Sequence, residues 1–124
     1  MKLIAIVNAR LKSTRCKEKM IRSFADTTLV DIAAKRLAGL ENFDGVYFGA
    51  HENQLLAIAG RSLPSNLIRQ RTAEMANSED MMVAFSWIRD IDFDYCMWIN
   101  SCHAHLKPAT VDKAAEVFRK SPYR

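Results

Sequence analysis

Lys2-Leu3-Ile4-Ala5-Ile6-Val7-Asn8 places five apolar residues in a row with no alternation. A run of that kind is the signature of a strand buried on both faces, as at the centre of a parallel sheet. Outward from it, residues 9–27 show no clean period and read as a long loop with one or two turns, a length that in compact domains usually carries function. Asp26, Thr27 and Thr28 are N-cap candidates for a helix through about Leu37. Its apolar face is Leu29, Ile32, Ala33, Leu37 and Leu40, with Gly39 as C-cap. Asp44 to Ala50 reads as a second strand and Glu52 to Gly60 as a short helix. Asn66 to Gln70 reads as a third strand, introduced by Pro64. Asn77 or Ser78 is expected to cap a helix to about Arg89, with Met81, Ala84, Phe85 and Ile88 inside. Asp94 to Asn100 is a fourth strand. Pro108 opens a last helix, whose face is Val111, Ala114, Ala115 and Phe118. Strands alternate with helices four times. The expected fold is α/β, a Rossmann-like three-layer α/β/α sandwich on a mainly parallel sheet, formed by residues 1–124 as one domain.

Composition bounds the function. The chain has 124 residues, 49% of them hydrophobic and 26% charged, enough for an ordinary core. No stretch approaches the roughly 18 uninterrupted apolar residues of a membrane span. The first residues are too short a run for a signal-peptide core, so the expected location is the cytoplasm. Cys16, Cys96 and Cys102 are scattered and odd in number, which argues against a disulfide framework or a structural zinc site.

The charge is concentrated. Arg10, Lys12, Arg15, Lys17, Lys19 and Arg22 stand against Glu18 alone, while the rest of the chain has twelve bases and thirteen acids. A general nucleic-acid binder spreads its bases along a face and interleaves aromatics. Here the pattern points to a pocket for a compact polyanion, built from cations and backbone amides after a buried strand. There is no Gly-x-x-x-x-Gly-Lys-Ser/Thr loop and no Gly-x-Gly-x-x-Gly. Ligands of parallel sheets bind at the carboxyl ends of the strands. The basic segment follows the first strand directly, and Ser101-Cys102-His103-Ala104-His105 follows the fourth. Two chemically rich loops should share one edge.

With those residues in view, the sequence resembles the sugar cytidylyltransferases, the CMP-N-acetylneuraminate synthetase group and its relatives. Ala9-Arg10-Leu11-Lys12-Ser13-Thr14-Arg15-Cys16-Lys17-Glu18-Lys19 is similar to that family's Ala-Arg-x-x-Ser-x-x-x-x-x-Lys signature. Phe24 to Leu29 resembles its lead into the first helix. Glu74-Met75-Ala76-Asn77-Ser78-Glu79-Asp80 resembles its Ala-x-x-Ser-Glu-Asp segment, and Trp98 to Ala104 its fourth-strand loop. The likeness runs in order over essentially the whole chain. It implies the nucleotide-diphospho-sugar transferase type of fold, apparently truncated, since relatives run to about twice this size.

The resemblance also implies roles. Arg10 and Lys19 would be the catalytic cations, holding the CTP triphosphate and stabilising charge on the phosphorus and the departing pyrophosphate. Leu11, Lys12 and Ser13 would offer backbone amides to the phosphate oxygens, and Ala9 would also line the nucleotide site. Arg71 and Ser78 would contact the cytosine, with the Ala76 backbone nearby, and Asn100 would sit beside the sugar acid. The implied reaction transfers CMP from CTP to N-acetylneuraminate or a related acid, with Mg²⁺ accompanying the nucleotide and its protein ligands not identifiable in this chain.

This sequence departs from the pattern at Leu11-Lys12, which replaces Gly-Gly, at Lys17-Glu18, which replaces Pro-Gly, and at Met20, which replaces Asn. Ser101 and Ala104 stand in place of two prolines. Those changes keep open a non-catalytic nucleotide-binding or regulatory role, and, with less support, nucleic-acid binding. His51, His103 and His105 read as loop residues, and Cys102 beside His103 as no catalytic pair, because neighbours in an extended loop point to opposite sides. Asp90, Asp92 and Asp94 read as a solvated turn. Met75, Met81, Met82, Met97, Trp87 and Trp98 read as packing residues, with Trp87 also placed as a possible dimer contact. Half a sheet should leave apolar surface uncovered, so a homo-oligomer is expected.

Overall fold

The computed structural model describes residues 2–9, 23–24, 27–100 and 106–121. The opening run forms β1 (Leu3–Ala9), and a two-rung antiparallel ladder joins β2 (Ser23–Phe24) to β3 (Thr27–Thr28). There follow α1 (Leu29–Ala38), β4 (Gly45–Ala50) and α2 (Asn53–Ala59). A turn of 3₁₀ helix at Ser65–Leu67 leads into β5 (Ile68–Gln70). Then come α3 (Ala73–Asn77), α4 (Met81–Ala84), β6 (Tyr95–Trp98) and α5 (Pro108–Lys120). The main sheet has the order β5-β4-β1-β6, all parallel, with Val7 opposite Phe48 and Ile6 opposite Trp98.

The two faces of β1 explain its unbroken apolar sequence. Ala5, Val7 and Ala9 join Val30, Ala33, Leu37, Leu55 and Val111 in one core, beneath α1, α2 and α5. Ile4 and Ile6 point the other way, against Trp87 and Ile88, with Met75, Phe85 and Phe93 packed around them. Three layers result, as expected. Each fully buried Leu, Ile, Val or Phe contributes about 1.5–3 kcal/mol, so β1 is the thermodynamic centre of the molecule.

Thr28 is the residue that caps α1, its Oγ1 accepting the Asp31 N–H at 3.2 Å. The helix expected from Asn77 or Ser78 to Arg89 is instead broken into α3, α4 and a 3₁₀ turn at Ser86–Ile88. Local polar side chains break it. Ser78 accepts the Asp80 N–H on its hydroxyl at 3.0 Å, and Asp80 Oδ1 accepts from Met82 N, also at 3.0 Å. Thr72 caps α3 through Met75 N. Met81 and Met82, expected inside, are therefore exposed. Trp98 was also expected to pack, yet it is 51% exposed, because β6 ends the sheet and pairs, among the described residues, only with β1.

Polar contacts close the pole away from the carboxyl ends of the strands. Asp112 on α5 accepts the backbone N–H groups of Glu41 and Asn42 at 3.0 and 2.9 Å. Asp94 accepts Lys2 N at 2.7 Å, so the acidic turn before β6 anchors the start of β1 rather than being merely solvated. Asp44 accepts from Leu3 N at 2.7 Å and from Arg119 at 2.9 Å. The Leu3 N–H first, and then the guanidinium, hold the Asp44 carboxyl below the ordinary carboxylate range. A depressed folded-state pKa adds stability above the unfolded value and loses it as pH falls through the folded one. The melting temperature should therefore decline as pH drops below about 4, and less steeply in Asp44→Asn. Superimposable pH profiles for the two proteins would count against that assignment.

Candidate functional site

The carboxyl ends of β1, β4, β5 and β6 reach one edge of the sheet at Ala9, Ala50, Gln70 and Trp98. Of the sequence-predicted residues, the structure describes Ala9, Arg71, Ala76, Ser78 and Asn100. Arg10, Leu11, Lys12, Ser13 and Lys19 lie outside the described residues, as do Cys102, His103 and His105.

Arg71 stands at that edge of the sheet. It directly follows β5, and its N–H donates to the Ala50 carbonyl at 2.8 Å, which carries the sheet pairing one residue further. The side chain is 4% exposed, and Nη2 donates to the carbonyl of Ala9 at 2.9 Å. A buried cation thus ties the β5 side of the sheet to the last residue of β1, beside the start of the basic segment. His51 fixes Arg71 from behind, its Nδ1–H donating to the Arg71 carbonyl at 3.0 Å. Gln70 Nε2 reaches the His51 carbonyl at 3.0 Å and Asn53 Oδ1 at 3.2 Å. Ala76 is buried on α3, while the Ser78 hydroxyl is engaged with Asp80 in the turn that follows.

A second contact holds the same stem. Trp87 Nε1 donates to Asn8 Oδ1 at 2.7 Å, and the indole lies against Gly49 so closely that a Cβ there would fall 2.6 Å from the ring. Gly49 is glycine because of that approach. Sequence reasoning placed Trp87 in the core but did not connect it to Asn8. The only available signal was a glycine inside a strand.

On the other side of β1, Asn100 is exposed at the end of β6. Beside it runs an apolar groove of about 360 Å³, walled by Met97, Ile99, Leu106 and Val111, with Thr110 on its polar side. A larger hollow of about 430 Å³ lies at the opposite pole, between Glu41–Asp44 and the end of α5, and its groups are those that close the fold there. Among the described residues no three His, Cys, Asp or Glu side chains are grouped to hold a metal ion.

Residues 4–123 match the sequence model of the cytidylyltransferase family. The chain belongs to that family. No curated protein sequence matches it. Among solved structures, this chain is similar to a CMP:2-keto-3-deoxy-manno-octonic acid synthetase complexed with CTP, at 11% identity and a TM-score of 0.80. A cytidylyltransferase from Leptospira borgpetersenii aligns at 18% identity and a TM-score of 0.76. In both cases 99% of this chain is covered, but only 49% and 51% of the other. The chain spans about half the length of these structural relatives. A Mycobacterium tuberculosis protein in complex with manganese aligns at 16% identity with a TM-score of 0.60, over 95% of this chain and 60% of its own. At these identities the structural matches establish the fold, a parallel α/β sheet of nucleotidyltransferase type. No helix among the described residues is long and apolar enough to cross a membrane.

Proposed function

We propose that residues 1–124 act as the nucleotide-binding unit of a cytidylyltransferase that binds CTP and passes CMP to a sugar acid, such as N-acetylneuraminate or a related acid, with release of pyrophosphate. The observation that carries this reading is Arg71, a nearly buried guanidinium hydrogen-bonded to Ala9 at the root of a segment with six bases and one acid. A planar fork of donors suits the acceptor edge of a pyrimidine. The basic segment suits three phosphates in a row. In the proposal, Arg10 and Lys19 hold the triphosphate, backbone amides of Leu11, Lys12 and Ser13 face its oxygens, Ala9 lines the nucleotide site, and Arg71, Ala76 and Ser78 frame the cytosine.

A hydroxyl oxygen of the acceptor, placed beside Asn100, attacks the α-phosphorus. The new P–O bond forms as the bond to the bridging oxygen breaks, pyrophosphate leaves with the electron pair, and the hydroxyl proton passes to solvent water. Arg10 and Lys19 stabilise the charge that accumulates on the leaving group. A divalent cation accompanies the triphosphate, and the manganese complex of the Mycobacterium tuberculosis relative supports its use. Self-association at the β6 edge and a cytoplasmic location belong to the same reading. Exposed Tyr95 and Trp98 support the first, and the thiol of Cys96, which is not in a disulfide, supports the second.

Pyrophosphate release measured with CTP, Mg²⁺ and a panel of 2-keto sugar acids tests the reading. Release that depends on both substrates is expected. CTP binding without release, consistent with Leu11-Lys12 and Glu18 in the phosphate segment, would move the chain to the binding-only role. Neither binding nor release would sink both.

A further inference from the structure

Among the described residues two arginines are buried, and they stand on opposite sides of β1. Arg71 lies toward β5. Arg36, in the last turn of α1, lies toward β6 and is 2% exposed. Its Nε donates to the Leu106 carbonyl at 2.8 Å, and Nη1 makes a longer contact, 3.4 Å, with the carbonyl of Asn100. One rigid, planar group therefore reaches both carbonyls that bracket the stretch between β6 and α5. Burial pulls the guanidinium's pKa down, a cost that a residue used only for solubility would not carry. Lysine could not repeat the geometry, because its single ammonium offers no fork.

Asn100 and Leu106 also both line the apolar groove beside β6. Resting on the cytidylyltransferase reading, we propose that Arg36 is the positioning residue of the acceptor side: it fixes the spacing of Asn100 and Leu106, and so the mouth of the groove, independently of the nucleotide side held by Arg71. Arg36 touches neither substrate. It acts through the two carbonyls. The sheet order, with β1 between the two arginines, separates the two sides.

The test compares the full chain with Arg36→Met and Arg36→Lys. Amide hydrogen exchange of the peptide covering residues 98–107 should quicken by about tenfold or more in Arg36→Met, with a smaller change in Arg36→Lys. Exchange over residues 66–78 should stay as in the parent. The CTP dissociation constant should move less than about twofold, while the KM for the sugar acid rises about tenfold and kcat changes less. Arg36→Lys keeps the charge in place and remains the decisive variant if Arg36→Met does not fold. Unchanged exchange at 98–107 in a folded variant overturns the proposal, as does equal weakening of CTP and acceptor. Because exchange needs no ligand, a parent chain that fails to bind CTP removes the nucleotide reading and still leaves the bracket decided. A parent that binds CTP yet shows no saturation by any sugar acid overturns the acceptor role.

Discussion

Arg71→Met is expected to weaken CTP binding by about 100-fold or more, equivalent to about 2.7 kcal/mol, and to leave a chain that still folds. Two losses combine. The first is the charged hydrogen bond from Nη2 to the Ala9 carbonyl, a class of bond that contributes about 1.5–3 kcal/mol. Without it the Ala9 carbonyl stays at the sheet edge with its partner gone, and the root of the basic segment is no longer tied to the β5 side. The second is the proposed contact with the base. Methionine keeps much of the length and apolar bulk of the side chain, which limits the packing loss. The backbone bond from Arg71 N to Ala50 O is untouched by the substitution. Arg71→Lys should recover only a small part of the affinity, since a point charge cannot fork. Calorimetry on the folded variants checks this, and parent-like affinity in Arg71→Met would remove Arg71 from the nucleotide site.

Gly49→Ala should cost about 1–3 kcal/mol of stability through overpacking in the central sheet. For a chain of this size each kcal/mol corresponds to a drop of roughly 3–6 °C in melting temperature. The new methyl would lie 2.6 to 3.0 Å from three atoms of the Trp87 ring. The indole has little freedom to retreat, because it is 6% exposed and anchored through Nε1 to Asn8. Something must shift, and the candidates are the ring, β4, or the Asn8 side chain next to the basic segment. The pairing is testable by a double-mutant cycle with Trp87→Leu, whose smaller side chain makes room for the methyl. Gly49→Ala should cost much less in that background. Strictly additive effects would show that the indole is not what Gly49 accommodates.

The α/β order was legible because β1 carries an unbroken apolar run and α1 and α5 carry clean helical stripes. Thr28, Gly39 and Pro108 mark helix ends for local chemical reasons that the sequence exposes. The segment from Ala73 to Ile88 was not legible as it stands. Its apolar spacing fits one helix, while Ser78 and Asp80 satisfy backbone N–H groups locally and split it. Trp98 misled for a different reason, since exposure at the end of a sheet depends on which strand comes last. Arg36 was invisible as a buried group because a base in the last turn of a helix reads as a partner of the helix dipole. Its carbonyl partners lie 64 and 70 residues away. The Asn8–Trp87 bond spans 79 residues and left no mark except Gly49. Arg71 was named from the resemblance alone, and the structure adds the hydrogen bond that ties its guanidinium to Ala9.

Titration of the full chain with CTP, ATP and GTP, each with Mg²⁺, addresses the cytidine site most directly. CTP is expected to bind about tenfold or more tighter than either purine nucleotide, a difference of about 1.4 kcal/mol. Equal affinity for all three, or heat from none of them, would contradict a site in which Arg71 reads a cytosine at the root of the basic segment.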